Sequence, residues 1–237
     1  MGLRLVLLGP PGSGKGTMAH LLEERLKVRH ISTGDLFRRE IQRRSTLGRA
    51  VQRYVSSGRL VPDDLVVRVM TGQLSARLLS LGLVLDGFPR TVGQAEGLDR
   101  FLNRVRRPLQ AAVYLECPQR VLVSRLAGRR VCSRCGTNYH IRNIPPRRAG
   151  VCDRCGGTLG IRKDDRVQTI RKRLRIDRGE ATPLLAHYRK QRKLFRLNGS
   201  GSSDQGLQRL LRLIRQHRWL GTPHSASSDG RPRRTRG

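Results

Sequence analysis

The chain has 237 residues, and its 49 lysines and arginines against 17 acids give a formal charge of +32. That length buries one substantial core with room for a small inserted module, and no apolar run approaches the roughly 20 residues a membrane-spanning helix needs. The charge at face value calls for a polyanionic partner such as RNA, DNA or a membrane surface. Yet only six of the 49 basic residues are lysine and aromatic residues are 4% of the chain, which leaves few stacking platforms for single strands. We read the excess as a compositional bias toward arginine spread over solvated helix faces, with nucleic acid at most a non-specific partner.

Leu3 to Leu8 forms a short apolar run that ends at GPPGSGKGT, residues 9 to 17. The run is too short for a signal peptide, so a cytoplasmic protein is expected. Met18, Leu21, Leu22 and Leu26 then recur at helical spacing, so the glycine loop joins a buried strand to a helix that begins near Lys15. Gly9, Gly12, Gly14 and Gly16 allow backbone N–H groups to turn toward a polyphosphate, the helix dipole points its positive end there, and Lys15 adds a mobile cation. A phosphate-binding loop ordinarily places Ser or Thr directly after the lysine as a magnesium ligand; here Gly16 stands there and Thr17 comes one place late. The metal must then be held by phosphate oxygens, water and a carboxylate elsewhere. Asp86, at the end of LVLDGF, is the candidate.

Residues 32 to 61 read as mostly helical and end in the turn-like SSGRLVPDD; Asp63 to Leu79 and Val92 to Val105 follow as amphipathic helices, separated by the strand Leu83 to Leu85. Ala111 to Leu115 is another buried strand, after which Cys117 is expected to be a buried packing residue. Residues 126 to 163 break the alternation with four cysteines, several glycines and a Pro-Pro pair. A long helical pattern starts near Asp164 and should break at Pro183; Leu194 to Leu197 is a last strand. Residues 221 to 237 are polar and basic and are expected to be a disordered tail. Strands alternating with helices predict an α/β fold, a parallel sheet flanked by helices, with both interrupting segments inserted at one edge.

Cys132, Cys135, Cys152 and Cys155 are spaced C-x2-C-x16-C-x2-C. Two readings compete, paired disulfides and a tetrahedral zinc site; a cytosolic chain favours zinc. Four thiolates leave no position open for substrate, so the metal's role is structural, and His140 is not needed as a ligand.

Four stretches carry a resemblance: GKGT at the loop, ISTGDLFR at 31 to 38, GRLVPDDLV at 58 to 66, and LDGFPRT with Gln94 and Ala95 behind it. Together, in this order and spacing, they resemble the adenylate kinase family from Leu3 to about Leu220, and the cysteine cluster is similar to the metal knot in the lid of some bacterial and archaeal members. The resemblance implies a P-loop NTPase-type sheet with a helical nucleoside-monophosphate insertion, the reaction ATP + AMP ⇌ 2 ADP in purine nucleotide homeostasis, and a requirement for Mg2+ with ATP. It also implies a core of residues 1–31, 62–125 and 164–220, an insertion at 32–61 that binds AMP, and a zinc-bearing lid at 126–163. A monomer is expected.

Carried over by position, the resemblance places the ATP phosphates on Gly12, Ser13, Gly14, Lys15, Gly16 and Thr17. The rest of the ATP side would be Arg125 against the adenine, Asn138, Tyr139 and Gly201. AMP would meet Thr33, Arg38, Arg59, Leu60, Val61, Gly87, Phe88, Pro89, Arg90 and Gln94, with Thr33 and Gln94 facing its base and Arg38 and Arg90 its phosphate. Arg129, Arg162 and Arg173 would close over both phosphate chains. With Lys15, Arg90 and Asp86 these make up the catalytic group. Asp164 and Asp165 read as helix-capping acids or as a lid hinge. Two rivals remain at this stage: a pyrimidine monophosphate kinase, against which Thr33 speaks, and a zinc-ribbon nucleic-acid binder, which leaves ISTGDLFR and LDGFPRT unexplained.

Overall fold

A computed structural model describes residues 2–220. Its centre is a five-stranded parallel sheet in the order β2-β3-β1-β4-β8. The elements run β1 (Arg4–Leu8), α1 (Lys15–Leu26), β2 (Arg29–Ser32), α2 (Thr33–Gln42), α3 (Thr46–Ser57), α4 (Asp63–Gly72), α5 (Ala76–Leu81), β3 (Leu83–Asp86), α6 (Val92–Arg104), β4 (Ala111–Glu116) and α7 (Gln119–Ala127). A small antiparallel sheet follows, β5 (Arg129–Cys132) between β6 (Asn138–His140) and β7 (Leu159–Gly160). A 3-10 turn at Lys163–Asp165 leads into α8 (Val167–Lys190), then β8 (Leu194–Asn198) and α9 (Ser203–Gln216).

The apolar run of β1 is buried throughout because both faces of the sheet are covered. Side chains alternate across a strand, so Val6 and Leu8 enter one core with Met70, Leu98, Leu102, Leu184 and Tyr188 from α4, α6 and α8. Leu5 and Leu7 enter the other, with Met18 and Leu22 of α1 and Leu207, Leu210 and Ile214 of α9.

Several expectations are corrected. The helix read over Asp63 to Leu79 is two, because Gln73 to Ser75 leaves the helix and Ser75 caps α5 by accepting from the Leu78 N–H. Pro183 does not break α8. Leu184, Leu185 and Tyr188 are buried just beyond it. An interior proline costs about 3 kcal/mol. Each large buried apolar side chain returns about 1.5–3 kcal/mol, so packing holds the helix through the proline. The two insertions do not share an edge: α2 and α3 follow the edge strand β2, whereas the antiparallel sheet lies in the crossover from β4 to the opposite edge strand β8. The tail at 221–237 lies outside the described residues.

Candidate active site

All five parallel strands end on the same side of the sheet, and their C-terminal ends open into one cleft of about 970 Å³. Such a position, outside the carboxyl ends of parallel strands, is where open α/β sheets bind ligands. At its floor the glycine loop turns from β1 into α1. Gly12 and Gly14 take positive φ of 85° and 96°, which an L side chain rarely adopts. A side chain at Gly12 would also collide with the Leu122 carbonyl at 2.9 Å.

Lys15 folds back over the loop, its Nζ donating to the carbonyls of Gly9 at 2.5 Å and Pro10 at 3.0 Å. Burial pushes the lysine down to about 8, against the opposing pull of Asp86 and Asp177. The Ser13 hydroxyl is buried without a hydrogen-bond partner, as phosphate oxygens would supply.

Gly16 owes its identity to Asp86. A β-carbon there would stand 3.2 Å from Asp86 Oδ2, so the carboxylate occupies the space in which a Ser or Thr side chain would begin. Burial acts to raise the Asp86 carboxyl, but His30 and Lys15 outweigh it and hold the acid below its ordinary value. An ionised carboxylate at the end of β3, beside the loop, is a suitable donor for a hard divalent cation.

Arg38, Arg90, Arg125, Arg129, Arg162 and Arg173 converge on the cleft, each held by oxygen atoms of the chain itself. Arg129 makes a bidentate pair with Asp165, at 2.7 and 2.5 Å. Arg173 donates to the Asp164 carbonyl at 3.1 Å and stands 2.9 Å from its carboxylate and 3.1 Å from that of Asp165. Arg38 pairs with Asp35 at 2.5 Å, in space that Gly34 leaves open. Arg90 donates through Nε to the Gly87 carbonyl at 3.0 Å. Arg125 is spent on the turn after β8, donating to the carbonyls of Gly199, Ser200 and Gly201 at 2.7, 3.1 and 2.8 Å, so that only its flat face is free for a base.

Arg162 alone keeps a buried Nε without a partner, while its Nη2 donates to Asn138 at 2.6 Å. Burial, then Arg38 and Arg129, push its guanidinium down to about 9. Like charges gathered this closely suit a polyanion, beyond what Asp35, Asp164 and Asp165 already neutralise.

Asp164 and Asp165 are therefore not capping acids: both are buried and face Arg173 and Arg129, and Arg166 rather than either acid precedes α8. Cys117 is half-buried rather than buried, its Sγ 3.8 Å from Arg125 Nη1 and 3.9 Å from the Gly199 carbonyl.

The cleft wall includes Gly12 to Thr17, Arg38, Asp86, Gly87, Pro89, Arg90, Arg125, Arg129, Asn138, Tyr139, Arg162, Arg173 and Gly201. Other expected residues lie behind it. Thr33 is buried and donates to the Asp86 carbonyl at 3.2 Å. Gln94 accepts from the Arg90 N–H at 2.9 Å and donates to Asp63 at 2.8 Å. Phe88 and Val61 are core residues, Leu60 lines a shallow recess with Arg90 and Arg173, and Arg59 is exposed beside Tyr54.

Sequence reading missed Asp177, which lines the cleft opposite Lys15, Arg90 and Arg173, its carboxyl raised by burial against those cations. Its signal was helical spacing, since it falls four residues after Arg173 and so shares that face of α8.

Beside the antiparallel sheet, at the end of β5 and in the turns that flank it, the four cysteines meet. Their sulfur atoms all lie within 4.8 Å of one another, with Cys132 to Cys155 at 3.4 Å and Cys135 to Cys152 at 3.6 Å. A disulfide would need about 2.05 Å. Thiolates about 2.3 Å from a tetrahedral metal stand about 3.8 Å apart, so the cluster can hold a metal. Each pair sits on a tight turn closed by Gly136 or Gly156, whose N–H returns to the carbonyl of Cys132 or Cys152. His140 is not in the cluster; its Nδ1 accepts from the N–H groups of Arg142 and Asn143.

Comparison with known proteins agrees with this geometry. The family described as "Adenylate kinase" matches residues 7–193. Among curated relatives, the adenylate kinase of Thermosipho melanesiensis is 44% identical over 214 residues, covering 90% of this chain and 100% of the relative. That of Clostridium tetani is 41% identical over 212 residues, with 90% and 98% covered. That of Thermosipho africanus is 42% identical over 214 residues, with 90% and 100% covered.

Proposed function

Since this chain belongs to the adenylate kinase family, we propose that its cleft performs the reversible transfer ATP + AMP ⇌ 2 ADP with the residue roles that follow. One observation carries the reading: Lys15 and the glycine loop face Arg38, Arg90, Arg129, Arg162 and Arg173 across a single cavity, which suits two phosphate chains meeting end to end. A phosphate oxygen of AMP attacks the γ-phosphorus of ATP as the bond to the β-γ bridging oxygen breaks and ADP departs. The attacking oxygen is already anionic, so no general base is required, and catalysis consists of alignment and charge neutralisation.

The loop from Gly12 to Thr17 binds the β- and γ-phosphates through N–H groups, and Lys15 exchanges two carbonyl partners for phosphate oxygens. Arg90 and Arg38 hold the AMP phosphate. Arg162, with its unpaired Nε, and Arg173 span both phosphate chains, and Arg129 closes on the ATP side. Arg125, Asn138, Tyr139 and the turn at Gly201 form the ATP base and ribose wall. Gln94 and Thr33 act from behind, fixing Arg90 and the Asp86 carbonyl next to the AMP site. Asp86 would hold the water shell of Mg2+, which when bound with ATP neutralises phosphate charge. The four cysteines would hold Zn2+, which gives the lid a rigid centre in place of an apolar core.

The domain division follows the same reading, with residues 1–31, 62–125 and 164–220 as core, 32–61 as the AMP-binding insertion and 126–163 as the lid. No described helix is long and apolar enough to cross a membrane; we place the protein in the cytoplasm as a monomer, with nucleic acid met only non-specifically through the basic excess. Coupled assay of ADP formation from ATP with each of AMP, GMP, CMP and UMP tests the reading. AMP should be preferred by orders of magnitude, and a preference for a pyrimidine monophosphate would reassign the acceptor.

A further inference from the structure

Outside the cleft and the cysteine cluster, one other group of metal-ligating side chains comes together among the described residues: His20, Glu23 and His30. His20 and Glu23 are three apart on α1 and so share a face of the helix, and the turn through Lys27 and Val28 brings the start of β2 back against that face. A ring nitrogen of each histidine and a Glu23 oxygen all lie within 4.8 Å of one another. His20 Nδ1 is 3.7 Å from Glu23 Oε2, and the two imidazole rings meet edge to face with centroids 5.1 Å apart. Glu23 Oε1 is already engaged by the His30 N–H at 3.2 Å, with Arg29 3.8 Å away, which fixes the carboxylate and leaves Oε2 turned toward His20.

His30 differs from a surface histidine. Its side chain is 6% exposed, its Nε2 is buried without a hydrogen-bond partner, and that nitrogen lies 3.8 Å from Asp86 Oδ2. A histidine bound to a metal through one nitrogen usually directs the N–H of the other at a carboxylate, which orients the ring and raises its basicity. Asp86 stands where that carboxylate belongs. Two imidazoles and one carboxylate form a donor set suited to borderline divalent ions such as Zn2+, Ni2+ or Co2+ and unsuited to Mg2+ or Ca2+, which prefer oxygen ligands.

We propose that His20, Glu23 and His30 bind one divalent transition-metal ion on the outer side of α1, with His30 ligating through Nδ1 and presenting Nε2–H to Asp86. Ligand bonds of about 2.0–2.2 Å require the three donor atoms to draw together. His20, with 51% of its side chain exposed, is free to make that adjustment. The site communicates with the phosphate cleft through a single ring, because the acid that His30 faces is the one beside Gly16.

Full-length protein whose cysteine cluster has been saturated with zinc is titrated calorimetrically with further Zn2+, and bound metal is counted after gel filtration. Wild type should take up one additional equivalent. His20→Ala and Glu23→Gln, both changes at exposed or half-exposed side chains, should bind it more than about tenfold more weakly, since each removes a ligand itself rather than an outer partner, while keeping the cysteine-bound equivalent. In the wild-type protein, 15N shifts of the His30 ring on Zn2+ addition should report metal at Nδ1 and a proton at Nε2. Absence of a further equivalent in wild type, its retention at full affinity in His20→Ala, or metal at Nε2 of His30 would each overturn the proposal.

Discussion

Arg162, at the end of the lid segment, stands 3.8 Å from Asp35 on the first turn of α2. These residues belong to the two insertions, one of which follows the edge strand β2 while the other lies in the crossover toward the opposite edge strand β8, so their approach spans the cleft. Asp35 also holds Arg38, and although burial acts to raise the carboxyl, Arg38 and Arg162 bring it down to about 2. Asp35 is 39% exposed, so solvent screens the pair and its contribution to closure is about 0.5–1 kcal/mol. Asp35→Asn should therefore raise the KM for AMP a few-fold and speed lid opening, read by steady-state kinetics and by fluorescence energy transfer between labels on the two insertions. Unchanged values for both would separate this contact from closure.

Lys15 predicts the pH dependence. Its pKa is depressed to about 8 by burial, so the free enzyme progressively loses this charge above pH 8. A bound phosphate chain favours the charged form and raises the pKa, and nucleotide binding near that pH must then take up a proton. Affinity for ATP should fall as pH rises through 8, with proton uptake visible as a buffer-dependent heat in calorimetry. In the free protein the sign is opposite. Unfolded Lys15 titrates at its ordinary 10.5, so between about 8 and 10.5 the unfolded chain holds more protons and this group adds stability as pH rises. Lys15→Met should abolish transfer and remove the proton uptake.

Arg90→Lys isolates geometry from charge. The guanidinium is anchored through Nε to the Gly87 carbonyl while its remaining nitrogens face the cleft, and a lysine cannot make both contacts. Turnover should fall by orders of magnitude with the melting temperature within a few degrees of wild type. A variant retaining near-normal turnover would remove Arg90 from the proposed phosphate clamp.

Gly16→Ser restores the common form of the phosphate-binding loop, yet it should reduce activity. The added β-carbon would press on Asp86 Oδ2 at 3.2 Å and push the carboxylate away from the loop. We expect at least a tenfold higher Mg2+ requirement, measured by titrating Mg2+ at fixed ATP; a lower requirement would show that the hydroxyl substitutes for Asp86.

Metal removal from the lid should lower the melting temperature without unfolding the core. The cysteine cluster packs with little besides Tyr139 and Leu159, so the lid has almost no apolar core of its own, whereas the two cores on the central sheet do not involve it. Elemental analysis of protein prepared without chelator should show zinc bound to the cysteines. Chelation under reducing conditions should produce a separate early transition in calorimetry, with the main transition retained. Free-thiol titration finding two disulfides would contradict the metal reading.

What the sequence determined by itself was whatever depends on residues near one another in the chain. The glycine spacing from Gly9 to Gly16, the paired cysteines and the alternating apolar runs each fix a local backbone course, and so the glycine loop, the four-cysteine cluster and the α/β architecture were legible. Asp86 was legible too, since it ends an obvious strand. β2 was not: RHIS has one apolar residue, and it becomes a strand because β3 offers an unpaired edge beside it. Pro183 was misread because propensity is a local energy of a few kcal/mol, and burial of Leu184, Leu185 and Tyr188 against a distant sheet outweighs it. Tertiary structure alone decided that Asp164 and Asp165 neutralise arginines and that the two insertions lie toward opposite edges of the sheet. Each of these follows from which surfaces meet when the two cores close, and long-range burial, unlike a turn or a Cys-x-x-Cys pair, leaves no fixed spacing along the chain.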